Sequence, residues 1–152
     1  MTPQKGDSAP DFTLKDTNGN DVSLSDFKGQ NVLLLFFPLA FSSVCTDELC
    51  SVQNQLKQYE QANAQVLGIS VDSFFALKEF KKAQDLDFPL LSDFNKEVAT
   101  AYDCLYDSFY GMQGVSKRAA FLVNEAGTIT YAEVLEKASD LPDFDAIKQQ
   151  LA

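Results

Sequence analysis

The sequence predicts an α/β domain with a mixed central sheet, helices on both faces and an N-terminal β-hairpin. Three stretches carry that expectation. NVLLLFF (31–37) and AQVLGISVD (64–72) do not alternate in polarity, so each reads as a strand buried on both faces. Between them, Leu49, Val52, Leu56 and Tyr59 recur at helical spacing, which predicts one helix from about Ser43 to Asn63. Strand, helix, strand in that order is a βαβ unit and implies a parallel pair.

The other elements follow in order. FTLKDTNGNDVSLSDF alternates around an Asn-Gly turn and predicts the hairpin. SFFALKEFKKAQDL (73–86) reads as a helix, and FPLLSD (88–93) as an edge strand because it carries Pro89. NKEVATAYDC (95–104) reads as helical. RAAFLVNEAGTITYAEVL (118–135) reads as two strands around a turn at Gly127. The tail, 142–152, opens at Pro142 and reads as an amphipathic helix. With 152 residues and no linker or repeat, the expectation is a single domain over 1–152.

Composition narrows the chemistry. A net charge of −10 disfavours nucleic acid and anionic membranes as partners. No apolar run is long enough to cross a bilayer, and the first residues lack the apolar core of a secretion signal, so a cytoplasmic protein is expected. There is no histidine, which excludes Ser-His-Asp and Cys-His machinery. The three cysteines lack zinc spacing, and no phosphate-binding glycine loop is present, so no metal or cofactor is expected.

The stretch FFPLAFSSVC (36–45) ends a strand on a proline and sets a cysteine where the next helix begins. Cys45 lies four residues before Leu49 and shares its helix face, so it reads equally as a small core residue. Against that stands its position. The first turn of a helix offers unpaired N–H groups and the positive end of the dipole, both of which favour a thiolate. Ser42 either caps the helix or turns its hydroxyl toward the sulfur or a bound oxygen; Ser43 reads as a cap. Arg118 is the one arginine among twelve basic residues and opens a buried strand, where it reads as an anion-holding group or as a surface residue. Glu48 sits in the first helical turn, favoured there by the dipole or paired with Arg118.

PLAFSSVC, Pro38 to Cys45, resembles the P-x-x-x-[ST]-x-x-C motif of peroxiredoxins. SKRAAFLV matches the family's arginine-bearing strand, and APDFTLKD is similar to its N-terminal segment. FFPLAFSSVCTDEL most resembles the one-cysteine, alkyl-hydroperoxide-reductase-E-like branch. The resemblance implies a thioredoxin-like fold and a thiol-dependent peroxidase. By the same resemblance, Cys45 attacks hydrogen peroxide or an organic hydroperoxide and becomes a sulfenic acid. Arg118, Ser42 and main-chain N–H groups at Val44 and Cys45 steady the developing charge, and Pro38 stiffens the loop. Ser42 departs from the threonine more usual in the motif.

A second departure is Cys50. It stands where the bacterioferritin-comigratory-protein-like branch carries a resolving cysteine, yet five residues along a helix is roughly 8–9 Å, beyond disulfide reach without unwinding. Cys104 is a weaker candidate. Otherwise an external thiol reduces the sulfenic acid: thioredoxin, a glutaredoxin-like protein or a small thiol. A homodimer is implied by the resemblance, and the aromatic stretches 73–75 and 107–114 read as packing, as a collar around the peroxide or as a dimer face. The alternatives are a dithiol oxidoreductase, disfavoured by the missing C-x-x-C, and a non-enzymatic redox sensor or binding protein.

Overall fold

A computed structural model describes residues 1–151. Strands β1 (Thr13–Asp16) and β2 (Asp21–Ser23) lead through a 3-10 turn (Leu24–Phe27) to β3 (Asn31–Phe36). Helices α1 (Ser43–Asn54) and α2 (Leu56–Gln61) precede β4 (Ala64–Ser70), α3 (Phe74–Ala83), β5 (Leu90–Ser92) and α4 (Glu97–Ala101). Strands β6 (Arg118–Val123) and β7 (Ile129–Leu135) and helix α5 (Phe144–Leu151) are the last described elements; the final residue of the helix expected over 142–152 lies outside the described residues. The strands form one seven-stranded sheet in the order β2-β1-β5-β4-β3-β6-β7. β3, β4 and β5 run parallel, and the remaining pairs are antiparallel.

The continuous apolar runs are explained by burial on both sides. Leu33 and Leu35 of β3 join a core with Leu49, Val52, Tyr59, Leu77, Phe80 and Ile147, beneath α1, α2, α3 and α5. Val32, Leu34 and Phe36 join a second core with Leu67, Phe121, Val98 and Tyr102, beneath α4. The N-terminal hairpin turns at the expected Asn-Gly pair. Gly19 takes φ 79°, and the Asp16 carboxylate accepts the N–H groups of Asn18 and Asn20 at 2.9 and 3.0 Å.

Three local expectations are corrected. The helix expected over 43–63 is broken at Gln55 into α1 and α2. Leu56 and Tyr59 stay against the same core after the break, so the apolar period alone does not register it. β5 is an interior strand between β1 and β4 rather than an edge. Pro89 lies just before it, and only its carbonyl joins the ladder, accepting Gly68 N–H at 3.0 Å. The helix read over 95–104 shrinks to the five residues of α4. Its amides Val98 and Ala99 are held by the buried Asp93 carboxylate at 3.1 and 2.7 Å.

Candidate active site

β3 ends at the carboxyl edge of the sheet. Phe37 N–H still bonds to Ile69 O at 3.0 Å, continuing the β3–β4 ladder, but the buried Pro38 has no N–H to offer and the chain leaves the sheet. The loop Pro38–Ser42 then turns through Phe41, held at φ 67°, a left-handed conformation that a non-glycine residue seldom adopts. Its ring lies edge-on to Phe80 with centroids 5.1 Å apart. Ser42 occupies the N-cap position of α1 with extended backbone, yet its hydroxyl makes no cap bond. It donates to Leu39 O at 2.8 Å instead, while its carbonyl accepts Thr46 N–H at 2.9 Å. Ser43, read from the sequence as a cap, is the first residue of the helix.

With its proton committed to Leu39, the Ser42 oxygen presents lone pairs and is suited to accept a hydrogen bond from a peroxide O–H. Cys45 is the third helical residue and is 1% exposed. Val44 and Cys45 N–H groups lie in the first turn, where the helix supplies no carbonyl to bond them.

Arg118 reaches this point from β6, the antiparallel neighbour of β3. The pleat of β6 places it on the same face as Ala120 and Leu122, under α1, and the residue is 1% exposed. Its guanidinium makes three kinds of contact. Nη1 donates to Glu48 Oε1 at 2.6 Å, and Nη2 donates to Cys45 Sγ at 3.2 Å. Nη2 and Nε both donate to the Ala138 carbonyl, at 2.9 and 3.3 Å. Because a guanidinium only donates, the sulfur is the acceptor in this pair, and a thiolate accepts better than a thiol.

Glu48, expected in the first helical turn, is instead the sixth residue of α1, because the helix begins at Ser43; it lies three residues after Cys45, hence on the same face. It is fully buried, and its second oxygen, Oε2, has no partner among the described residues. Burial pushes the Glu48 carboxyl up, to about 7, against the pull of Arg118. Desolvation opposes the charge on Arg118, but Glu48 and Cys45 together raise its pKa, so it stays the fixed cation of the site. The Ala138 loop is itself anchored. Tyr106 Oη donates to Glu136 O at 2.8 Å, and Lys117 pairs with the Glu136 carboxylate at 2.7 Å.

A cavity of about 350 Å³ opens onto Cys45, walled by Pro38, Ser42, Val44 and Arg118 on one side and by Phe109 and Tyr110 on the other. The two aromatics stand on a small hairpin whose turn has φ 53° at Tyr110 and 81° at Gly111. A larger cavity of about 440 Å³ lies elsewhere, between β1, the start of α3 and the segment after β5, and contains no cysteine.

The structure thus gathers Cys45, Ser42, Arg118, Pro38, Val44 and Glu48 at one place. The other two cysteines stand apart. Cys50 is half-buried on the intact α1, its thiol directed at Gln84 Oε1 over 3.5 Å. Cys104 is buried beside Ser116, 3.8 Å away, and burial pushes its thiol up to about 12. The Ala138 carbonyl was not foreseen, since a main-chain oxygen brought in by a loop leaves no mark on the sequence.

This geometry has a recognisable context. The sequence pattern of the AhpC/TSA family matches residues 5–132. The chain belongs to that family. It is 38% identical over 130 residues to the alkyl hydroperoxide reductase E of Mycobacterium tuberculosis, a match spanning 85% of this chain and 84% of that one. Among solved structures, peroxidoxin BcpB of Mycobacterium tuberculosis superposes with a TM-score of 0.87 at 27% identity, over 98% of this chain and 96% of that one. The bacterioferritin comigratory protein of Xanthomonas campestris superposes with a TM-score of 0.81 at 26% identity, over 92% and 89% of the two chains. As a peroxiredoxin of this type, with a thioredoxin-like fold, the chain is an oxidoreductase that reduces peroxides with electrons from thiols.

Proposed function

We propose that Cys45 is the nucleophile of this peroxidase and that Arg118 and Ser42 align the peroxide against it. The observation that carries the reading is the single guanidinium that bridges the Cys45 sulfur and the Glu48 carboxylate in a buried site. In the reaction, the Cys45 thiolate attacks the terminal oxygen of ROOH and the O–O bond breaks. Sulfur gains a hydroxyl, and RO⁻ leaves and takes up a proton to give an alcohol, or water when R is hydrogen. Arg118 and the Val44 and Cys45 amides are fixed donors for the charge that grows on the departing oxygen. Ser42 accepts from the peroxide hydroxyl, and the buried Pro38 closes one wall.

Organic hydroperoxides fit this reading as well as hydrogen peroxide. The bacterioferritin comigratory protein of Xanthomonas campestris has alkyl peroxide reduction activity, and Phe109 and Tyr110 give the pocket here an apolar wall.

The sulfenic acid is resolved either by Cys50, releasing water and forming a disulfide, or by an external thiol: thioredoxin, a glutaredoxin-like protein or a small thiol. With α1 intact, Cys50 faces Gln84, so the first route requires the opening turns of α1 to unwind. A cycle run on free thiols suits the reducing cytoplasm, where we place the protein. We also propose a homodimer. Phe75 and Phe94, 69 and 60% exposed, share the wall of one surface cavity and give the dimer an apolar face to bury.

Peroxide consumption with a dithiol reductant tests the reading. Continuous turnover that vanishes in Cys45→Ser supports it. A single slow stoichiometric oxidation without turnover would favour the redox-sensor alternative.

A further inference from the structure

We propose that Asp72 is a positioning residue for the chemistry at Cys45, acting through one peptide group of the Pro38–Ser42 loop to set the direction of the Ser42 hydroxyl. The inference rests on the reading of the site just given and extends it to a residue on a different strand end.

Asp72 follows β4 and is fixed from several sides. The buried Ser70 hydroxyl donates to its Oδ2 at 2.7 Å and accepts its N–H at 3.2 Å. The Ser92 hydroxyl, on β5, donates to its carbonyl at 2.6 Å. So held, Oδ2 accepts the Ala40 N–H at 2.8 Å.

Ala40 N–H and Leu39 C=O belong to the same planar unit and point in opposite directions. The Leu39 carbonyl is the acceptor of the Ser42 hydroxyl, at 2.8 Å. Asp72 therefore grips one end of a rigid plane whose other end orients Ser42. A carboxylate on the N–H also polarises the unit and makes its carbonyl a better acceptor. The next residue, Phe41, sits at φ 67°, a conformation that lasts only where neighbours impose it. If the Leu39–Ala40 peptide rotated, Ser42 would lose its partner, and its lone pairs would no longer be aimed into the cavity beside Cys45.

The experiment compares two reactions of Cys45 in the full chain under matched conditions: oxidation by cumene hydroperoxide and alkylation by iodoacetamide. Alkylation needs the sulfur but not the Ser42 alignment. In Asp72→Ala the oxidation rate should fall by about 10-fold or more, the cost of one lost charged hydrogen bond. Alkylation should stay within about 3-fold of the parent rate, since the sulfur keeps Arg118. Asp72→Asn keeps an acceptor oxygen and should restore oxidation. In a Ser42→Ala background the Asp72→Ala change should add little, because the two residues act as one unit.

Equal losses in both reactions, no loss in oxidation, or full additivity with Ser42→Ala would each overturn the proposal. Should Asp72→Ala not fold, Ser70→Ala loosens the same carboxylate and should produce a smaller, equally selective fall; an unchanged oxidation rate there overturns it too. Slow oxidation in the unaltered protein would be a failure of the peroxidase reading itself, which is distinct from a fast parent that Asp72→Ala leaves fast.

Discussion

Arg118 and Cys45 are 73 positions apart in the chain, and the Nη2 of one donates to the Sγ of the other over 3.2 Å. Neither side chain reaches solvent to any useful degree. The contact exists because the pleat of β6 and the first turn of α1 meet over the carboxyl end of β3. Glu48 on the same helix face takes a second guanidinium nitrogen and the Ala138 carbonyl takes what remains, so the fork is held on three sides.

That arrangement makes shape matter as well as charge. Arg118→Lys keeps a cation but cannot reach Glu48, Cys45 and Ala138 together. Its rate of peroxide reduction should fall by about 10²-fold, the usual cost of a lost fixed donor. Stopped-flow oxidation with excess peroxide measures this, and a loss under about 3-fold would show that charge alone suffices.

Glu48 gives a pH signature. Its carboxyl rises from an ordinary 4.5 to about 7 through burial, so the folded chain holds that proton more tightly than the unfolded one. The resulting stabilisation is full below pH 4.5 and is lost as pH rises through 7, by at most roughly 3 kcal/mol. Glu48→Gln should lack this slope. Urea unfolding of both proteins at several pH values checks it, and parallel pH profiles would contradict it.

Ser42→Ala should slow peroxide reduction by about 10-fold or more, in line with the loss of an aligned polar contact. Its stability should fall by about 1 kcal/mol or less, the worth of the one hydrogen bond the hydroxyl donates to Leu39, because it does not also cap α1. Ser42→Thr retains the hydroxyl with a stiffer χ1 and should keep activity. A stability loss of about 2 kcal/mol or more in Ser42→Ala exceeds that one bond and would instead indicate a working cap.

The cysteines should separate cleanly. With its thiol pushed to about 12, Cys104 stays protonated and should resist maleimide in the folded protein at neutral pH. Intact mass after one equivalent of peroxide then reads the resolving step. Loss of two hydrogens that is abolished in Cys50→Ser assigns Cys50; added oxygen with no disulfide assigns an external thiol.

What was legible in the sequence had an unusual residue to mark it. A lone arginine, a cysteine at a helix start and a proline ending a strand each stand out, and the structure brings those three together. What was missed lies in atoms or positions without such marks. The Ala138 carbonyl is main chain, and Asp72 is one acidic residue among twenty-two until folding sets it against Ala40. The edge reading of β5 failed because the missing N–H of Pro89 falls outside the strand. The α1–α2 break escaped because both halves keep their apolar faces on one core.

The most direct test of the site is to time peroxide oxidation of Cys45 in the folded protein against the same cysteine in the chain unfolded by urea at equal pH. Oxidation faster by about 10³-fold when folded is the result expected of preorganised donors around the sulfur. Equal rates in the two states would mean that the fold adds nothing to the thiol.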